Sequence, residues 1–257
     1  MWYIEYGVTM NIILGSQSPR RRELLSGLDV PHTEVSIDAD ESYPKELKGG
    51  DIPRHISRAK AEAYIRTHQL AADDLLITSD TIVWQDGAVL GKPRDEEDAR
   101  EMLRCLSGKT HQVYTAVTFA HQKRGEVAEC QISNFKFEVS DKGEQGQGVV
   151  METFVDCCDV TFDELSEADI DYYVTHYHPL DKAGAYGIQE WIGLIAASRI
   201  NGSFYTVMGF PTHLVHRYLT SLACHSRICN EIRQRRTKPI FIKNHFSLRK
   251  FANVTIF

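Results

Sequence analysis

The sequence predicts a mixed α/β fold built on one sheet that bends into two lobes. Two observations carry this. Short strands alternate with amphipathic helices over the first hundred residues, and a run of long strands, a helix, a glycine-rich loop and a last helix follow. Apolar residues make up 42% of 257 residues and charged residues 25%, a globular balance that fills a real core.

The elements follow in order. Ile12, Ile13 and Leu14 make a buried strand over 11–15. Ser18-Pro19 reads as the cap and first residue of a helix over 19–28, with Leu24, Leu25 and Leu28 on its apolar face. A second strand is expected over 30–37. Ile56, Ala59, Ala63 and Tyr64 recur at helical spacing in 52–68. Leu75 to Ser79 reads as a central strand ending at Asp80, continued by Ile82-Val83-Trp84. The Asp86-Gly87 turn then returns 88–90 as a hairpin arm. Asp95 to Asp98 put negative charge at the favourable end of a helix over 95–106. Alternation over 111–139 predicts two long strands joined near Gln122. Gly143, Gly146 and Gly148 predict a polar loop, and 151–162 a strand. Ser166 to Asp169 opens a helix through about His176 with a capping box. A long loop over 179–193, a strand pair near 194–208 and a helix over 211–222 complete the body.

Composition narrows the function classes. No apolar run approaches the roughly 20 residues that span a bilayer, and Met1 to Glu5 lack a basic leader region. Six scattered cysteines, without a Cys-x-x-Cys pair, argue against a disulfide framework or a cysteine zinc site, so a reducing, cytoplasmic compartment is expected. The net charge of −6 hides an asymmetry. Beyond Leu222, eight Lys and Arg residues from Arg227 to Lys250 face Glu231 alone. Residues 1–222 therefore read as an acidic domain with no nucleic-acid role, and 223–257 as a basic extension.

Several segments could carry chemistry. Arg20, Arg21 and Arg22 crowd a helix N-terminus, which already bears partial positive charge. That suits either a bound phosphate or carboxylate, or an exposed basic turn. Asp80 is a general base or metal ligand at a strand end, or a turn former. Lys92 is directed by flanking Gly91 and Pro93. Lys60 sits among alanines and either reaches a pocket or remains a solvated charge. Asp38, Asp40 and Glu41 suit a hard divalent cation or a solvated loop. In the loop Asp181–Gln189, two glycines permit close backbone approach, Tyr186 offers a stacking face, and Gln189 can both donate and accept at a base edge. His176 and His178 read as surface histidines. Phosphate-loop, dinucleotide-binding and serine-hydrolase signatures do not occur.

Seven motifs in one order resemble the Maf family of nucleoside triphosphate pyrophosphatases, historically called septum-formation inhibitors. They are Ser16-x-Ser18-Pro19-Arg20-Arg21, Ser79-Asp80-Thr81, Gly91-Lys92-Pro93, Leu106-Ser107-Gly108, Thr115-Ala116-Val117, Asp181–Gln189 and Val207-Met208-Gly209-Phe210-Pro211, covering about 10–222. Arg20, where 7-methyl-GTP-specific relatives carry Trp, and Gly184 to Gln189 are similar to the dTTP/UTP branch. Glu190 stands where the family usually has Gly, and Phe210 where it has Leu.

The resemblance implies a Maf/ITPase-like sheet around a central nucleotide cleft. It also implies hydrolysis of dTTP and UTP, with modified pyrimidine nucleotides a further class, to the monophosphate and pyrophosphate. It makes Asp80 the general base, with Glu41 and Asp80 at the metal, Mg²⁺ or Mn²⁺. Ser16, Arg20, Arg21, Lys60 and Lys92 match positions holding the triphosphate; Arg20, Thr81 and Gln189 match positions linked to base choice. A homodimer is the assembly it implies. The alternative is a non-catalytic nucleotide-binding regulator of cell division.

Overall fold

The computed structural model describes residues 10–123, 142–145 and 148–222. Its strands are β1 (Asn11–Gly15), β2 (His32–Val35), β3 (Asp74–Gln85), β4 (Ala88–Leu90), β5 (Thr110–Gln122), β6 (Lys142–Gln145), β7 (Val149–Phe162) and β8 (Ala197–Asn201). Its helices are α1 (Pro19–Ser26), α2 (Asp51–Thr67), α3 (Glu96–Leu106), α4 (Glu167–Tyr177), α5 (Trp191–Ala196), α6 (Phe204–Val207) and α7 (212–222). The described strands form one mixed sheet in the order β2-β1-β3-β5-β7-β6, with β4 paired to β3 and β8 to β7. β1 runs parallel to β2 and β3, and β5 runs antiparallel to its two neighbours, β3 and β7. The mixed α/β class holds.

The central strands are long because β-branched and aromatic residues fill them without a breaker. Thr81, Ile82, Val83 and Trp84 carry β3 past Asp80, so Asp80 lies within the strand and not at its end. β1 instead ends at Gly15, opposite Thr78. The sheet therefore opens two residues before Asp80, and a cleft forms there.

One stripe of α2 (Ile52, Ile56, Ser57, Ala61 and Ile65) is buried on the sheet. Each fully buried aliphatic side chain of this kind contributes roughly 1.5–3 kcal/mol. Ser57 also fixes the helix azimuth. Its hydroxyl meets Thr118 at 2.9 Å, and its carbonyl accepts a hydrogen bond from the Thr78 hydroxyl at 2.7 Å. On the far side of β3, a separate core joins α3, α4 and α5 through Leu103, Phe162, Tyr173 and Ile192.

Three segments differ from the sequence reading. Lys142–Gln145 is a strand, because pairing with β7 overrides the glycine signal. The loop over 179–193 contains two tight helical turns and begins α5. Of the strand pair near 194–208 only β8 forms, flanked by α5 and α6. The apolar run Ile192 to Ala196 has no periodicity separating helix from strand. Helix wins as the Gly193 and Leu194 amides bond the Glu190 carbonyl. The second long strand expected before 139, and the tail 223–257, lie outside the described residues.

Candidate active site

A cleft of about 740 Å³ opens where β1 ends, and the nine residues that the resemblance assigns to the site line it: Ser16, Arg20, Arg21, Glu41, Lys60, Asp80, Thr81, Lys92 and Gln189; of the acidic cluster only Glu41 does, and Asp38 and Asp40 do not. Four segments distant in sequence supply them: the start of α1, the stretch before α2 with α2 itself, mid-β3 with the β4 exit, and the turn before α5. Adjacent residues in a strand face opposite ways. Asp80 accordingly meets α2 on one face of the sheet and Thr81 meets Arg21 on the other.

Asp80 is 8% exposed. Its Oδ1 accepts from Lys60 Nζ at 2.8 Å, and the same ammonium meets Glu41 Oε1 at 2.9 Å. Lys60 thus lies on the sheet-facing side of α2, three residues after Ser57, and is no solvated charge. Burial pushes the Asp80 carboxyl above the ordinary range, against the pull of Lys60 and Arg21. Partial burial also pushes Glu41 upward, but Lys60, Lys92 and Arg21 outweigh it and leave that carboxyl low. The two acids are therefore pushed in opposite directions, Asp80 up by its burial and Glu41 down by the surrounding cations.

The three arginines separate. Arg21 donates Nε–H to the Gly209 carbonyl at 2.8 Å, and its terminal nitrogens reach Ser16 Oγ and Thr81 Oγ1 at 3.3 and 3.2 Å. Burial lowers its pKa and the Asp80 charge opposes this; a guanidinium stays charged throughout. Gly209 adopts φ +98°, which places its carbonyl toward Arg21 and favours glycine. Arg20 pairs with Asp181 at 3.2 Å, and Arg22 turns away to Glu34 at 2.8 Å. Ser18 occupies the cap position, yet its side chain makes no capping bond. Lys92 is exposed on the cleft and has no ion pair or hydrogen bond among the described residues.

Glu41 and Asp80 converge on one ammonium, so two hard oxygen donors lie side by side. Among the described residues no cluster of three or more His, Cys, Asp or Glu is arranged for a metal. Two carboxylates fit a cation such as Mg²⁺, which keeps much of its shell for water and phosphate oxygens. His176 bonds the Tyr172 carbonyl and His178 faces Glu96, so they do not form a metal pair.

Behind the turn that carries Gln189 lies a polar network that the sequence did not announce. Tyr186 is not a free stacking face. Its hydroxyl meets His111 Nε2 at 2.8 Å and its ring packs edge-on against His111 and Phe162. Burial pushes His111 down to about 4, so the imidazole is neutral at neutral pH. Lys182, 7% exposed, pairs with Asp181 at 2.7 Å and Glu190 at 3.2 Å. Glu190 also accepts from the Tyr173 hydroxyl. Adjacent Asp181-Lys182 was the available signal; Tyr173 left none.

The model of the family described as Maf-like protein matches residues 11–222. The chain is 46% identical over 209 residues to a dTTP/UTP pyrophosphatase of Porphyromonas gingivalis, covering 81% of this chain and 92% of that one. It is 48% identical over 212 residues to a dTTP/UTP pyrophosphatase of Bacteroides thetaiotaomicron, covering 82% and 95%. A Flavobacterium johnsoniae protein with the same description is 39% identical over 211 residues, covering 82% and 94%.

Proposed function

The chain belongs to the Maf-like family, and on that premise we propose that it is a pyrophosphohydrolase that cleaves dTTP and UTP to the nucleoside monophosphate and pyrophosphate. One observation carries the reading. Asp80 is a buried carboxylate clamped by Lys60 in a cleft lined by five cations, Arg20, Arg21, Lys60, Lys92 and Lys182, in a chain similar to dTTP/UTP pyrophosphatases along most of its length. A protein that only bound nucleotides would gain nothing from a buried carboxylate facing a triphosphate, because the two repel.

Asp80 takes a proton from water as its oxygen bonds the α-phosphorus. The bond from that phosphorus to the bridging oxygen breaks, and the electron pair leaves on pyrophosphate. Lys60 orients Asp80 and favours its ionised form. Arg21, held at three points, presents a fixed positive charge, and exposed Lys92 supplies a mobile one; with Ser16 and Arg20 they hold the phosphates. Glu41 and Asp80 are the residues that would hold Mg²⁺ or Mn²⁺, and the cation, when bound, would supply electrostatic compensation for charge on the leaving pyrophosphate. Gln189 and Thr81 face the base. Cys105, Cys157 and Cys158 are free, which supports a reducing, cytoplasmic compartment; among the described residues no helix is long and apolar enough to cross a membrane.

Incubating the full chain with Mg²⁺ and a panel of nucleoside triphosphates tests the assignment. Pyrophosphate release is expected from dTTP and UTP ahead of the purine nucleotides, and a chain lacking 223–257 should match it. A panel without pyrophosphate release refutes the activity.

A further inference from the structure

The turn carrying Gln189 is tied down by Glu190 and Tyr173, neither of which lines the cleft. The Glu190 amide bonds the Gly187 carbonyl at 2.9 Å, which closes a turn with Gln189 inside it. The Gly187 amide donates to the Tyr173 hydroxyl at 3.0 Å, and that hydroxyl donates to Glu190 Oε2. The other oxygen, Oε1, accepts from Lys182 at 3.2 Å. Lys182 also bonds Asp181 Oδ1 at 2.7 Å, while Asp181 Oδ2 pairs with Arg20 at 3.2 Å. A continuous chain of bonds therefore runs from the Gln189 turn to the arginine wall.

We propose that Glu190 is a positioning residue, which with Tyr173 fixes the turn so that Gln189 meets the pyrimidine edge in one orientation. The inference rests on the pyrimidine-nucleotide reading above. A buried lysine requires a paired carboxylate. Asp181 alone would have to serve both Lys182 and Arg20 if Glu190 were neutral. Packing closes the turn from the other side, since a Cβ on Gly193 would lie 1.9 Å from the Ile188 carbonyl oxygen. The side chain at 190 is the remaining adjustable contact. A hydrogen-bonding residue discriminates between bases only if its donor and acceptor cannot reorient, because UTP and CTP differ by exchanging an acceptor for a donor on the base edge.

The experiment compares kcat/KM for UTP and CTP in the parent, Glu190→Gln, Tyr173→Phe and Gln189→Ala. Glu190→Gln places an amide donor against either Lys182 or the Tyr173 hydroxyl. The UTP/CTP ratio should fall about tenfold in both Glu190→Gln and Tyr173→Phe, through KM, with kcat for UTP within about two-fold of the parent. The double variant should add little to either single one. An unchanged ratio in folded Glu190→Gln, alongside a lowered ratio in Gln189→Ala, overturns the positioning role and leaves the base-reading premise standing. An unchanged ratio in Gln189→Ala overturns the premise and the proposal with it. An equal loss of kcat for UTP and CTP at unchanged ratio shows general loosening and also overturns it.

Discussion

The two walls of the cleft are built on opposite plans. The wall from α1, α2, β3 and the exit of β4 presents Arg21, Lys60 and Lys92 toward the opening, with Asp80 and Glu41 among them. Lys60 is shared between Asp80 and Glu41, Arg21 is held by two hydroxyls and a carbonyl, and exposed Lys92 has no ion pair among the described residues. The wall before α5 is closed on itself: Lys182 is neutralised by Asp181 and Glu190, and Tyr173 and Tyr186 spend their hydroxyls on internal partners. The contrast separates two tasks. Handling a triphosphate calls for cations at the opening, among them Lys92 with no ion pair among the described residues, beside a buried carboxylate. Reading a neutral base calls for a rigid frame whose own polar groups are already satisfied.

The sharpest way to break this contrast is Asp80→Asn. The first wall loses its base while the second is untouched, so pyrophosphate release should fall by about 10²–10⁴-fold and nucleotide binding should persist, measured by steady-state kinetics and calorimetric titration. An active Asp80→Asn variant would remove the chemical half of the comparison.

A smaller effect concerns pH. Asp80 works as a base only when ionised, and burial holds its pKa above the ordinary value of about 3.9. Activity is therefore lost as pH falls through that raised value, and the acid limb of kcat/KM lies above the range of an exposed aspartate. Lys60→Met removes a hydrogen bond and a positive charge, both of which lower the Asp80 pKa. The acid limb should then move to higher pH by about one unit or more. A limb that stays put would mean that Lys60 does not tune the base.

The smallest effect lies outside both walls. Ser166 caps α4 through the Asp169 amide, in the box foreseen from the sequence. Ser166→Ala should cost about 1 kcal/mol and lower the thermal midpoint by about 2–4 °C, leaving the UTP/CTP ratio intact. A changed ratio would show that the base-side frame extends into α4.

The same contrast explains what could be read in the sequence. The triphosphate wall draws on compact segments: Ser16, Arg20 and Arg21 span six residues, and Asp80 and Thr81 are adjacent. Cations crowded at a helix start signal an anion in one dimension, before any fold is known. The frame behind Gln189 had no such signal. Tyr173 and Glu190 meet across a helix end and a loop, and Gly209 contributes a backbone carbonyl that no residue type announces. The mid-strand position of Asp80 was missed for a related reason. What opens the cleft there is the end of β1, a neighbouring strand, and not a break in β3 itself.

The central claim is attack of water, activated at Asp80, on the α-phosphorus of a pyrimidine nucleoside triphosphate. Turnover of UTP in water enriched in the heavy oxygen isotope, followed by mass spectrometry of both products, tests it directly. The account predicts one labelled oxygen in the monophosphate and none in the pyrophosphate. Label in the pyrophosphate would place the attack on the β-phosphorus and contradict it.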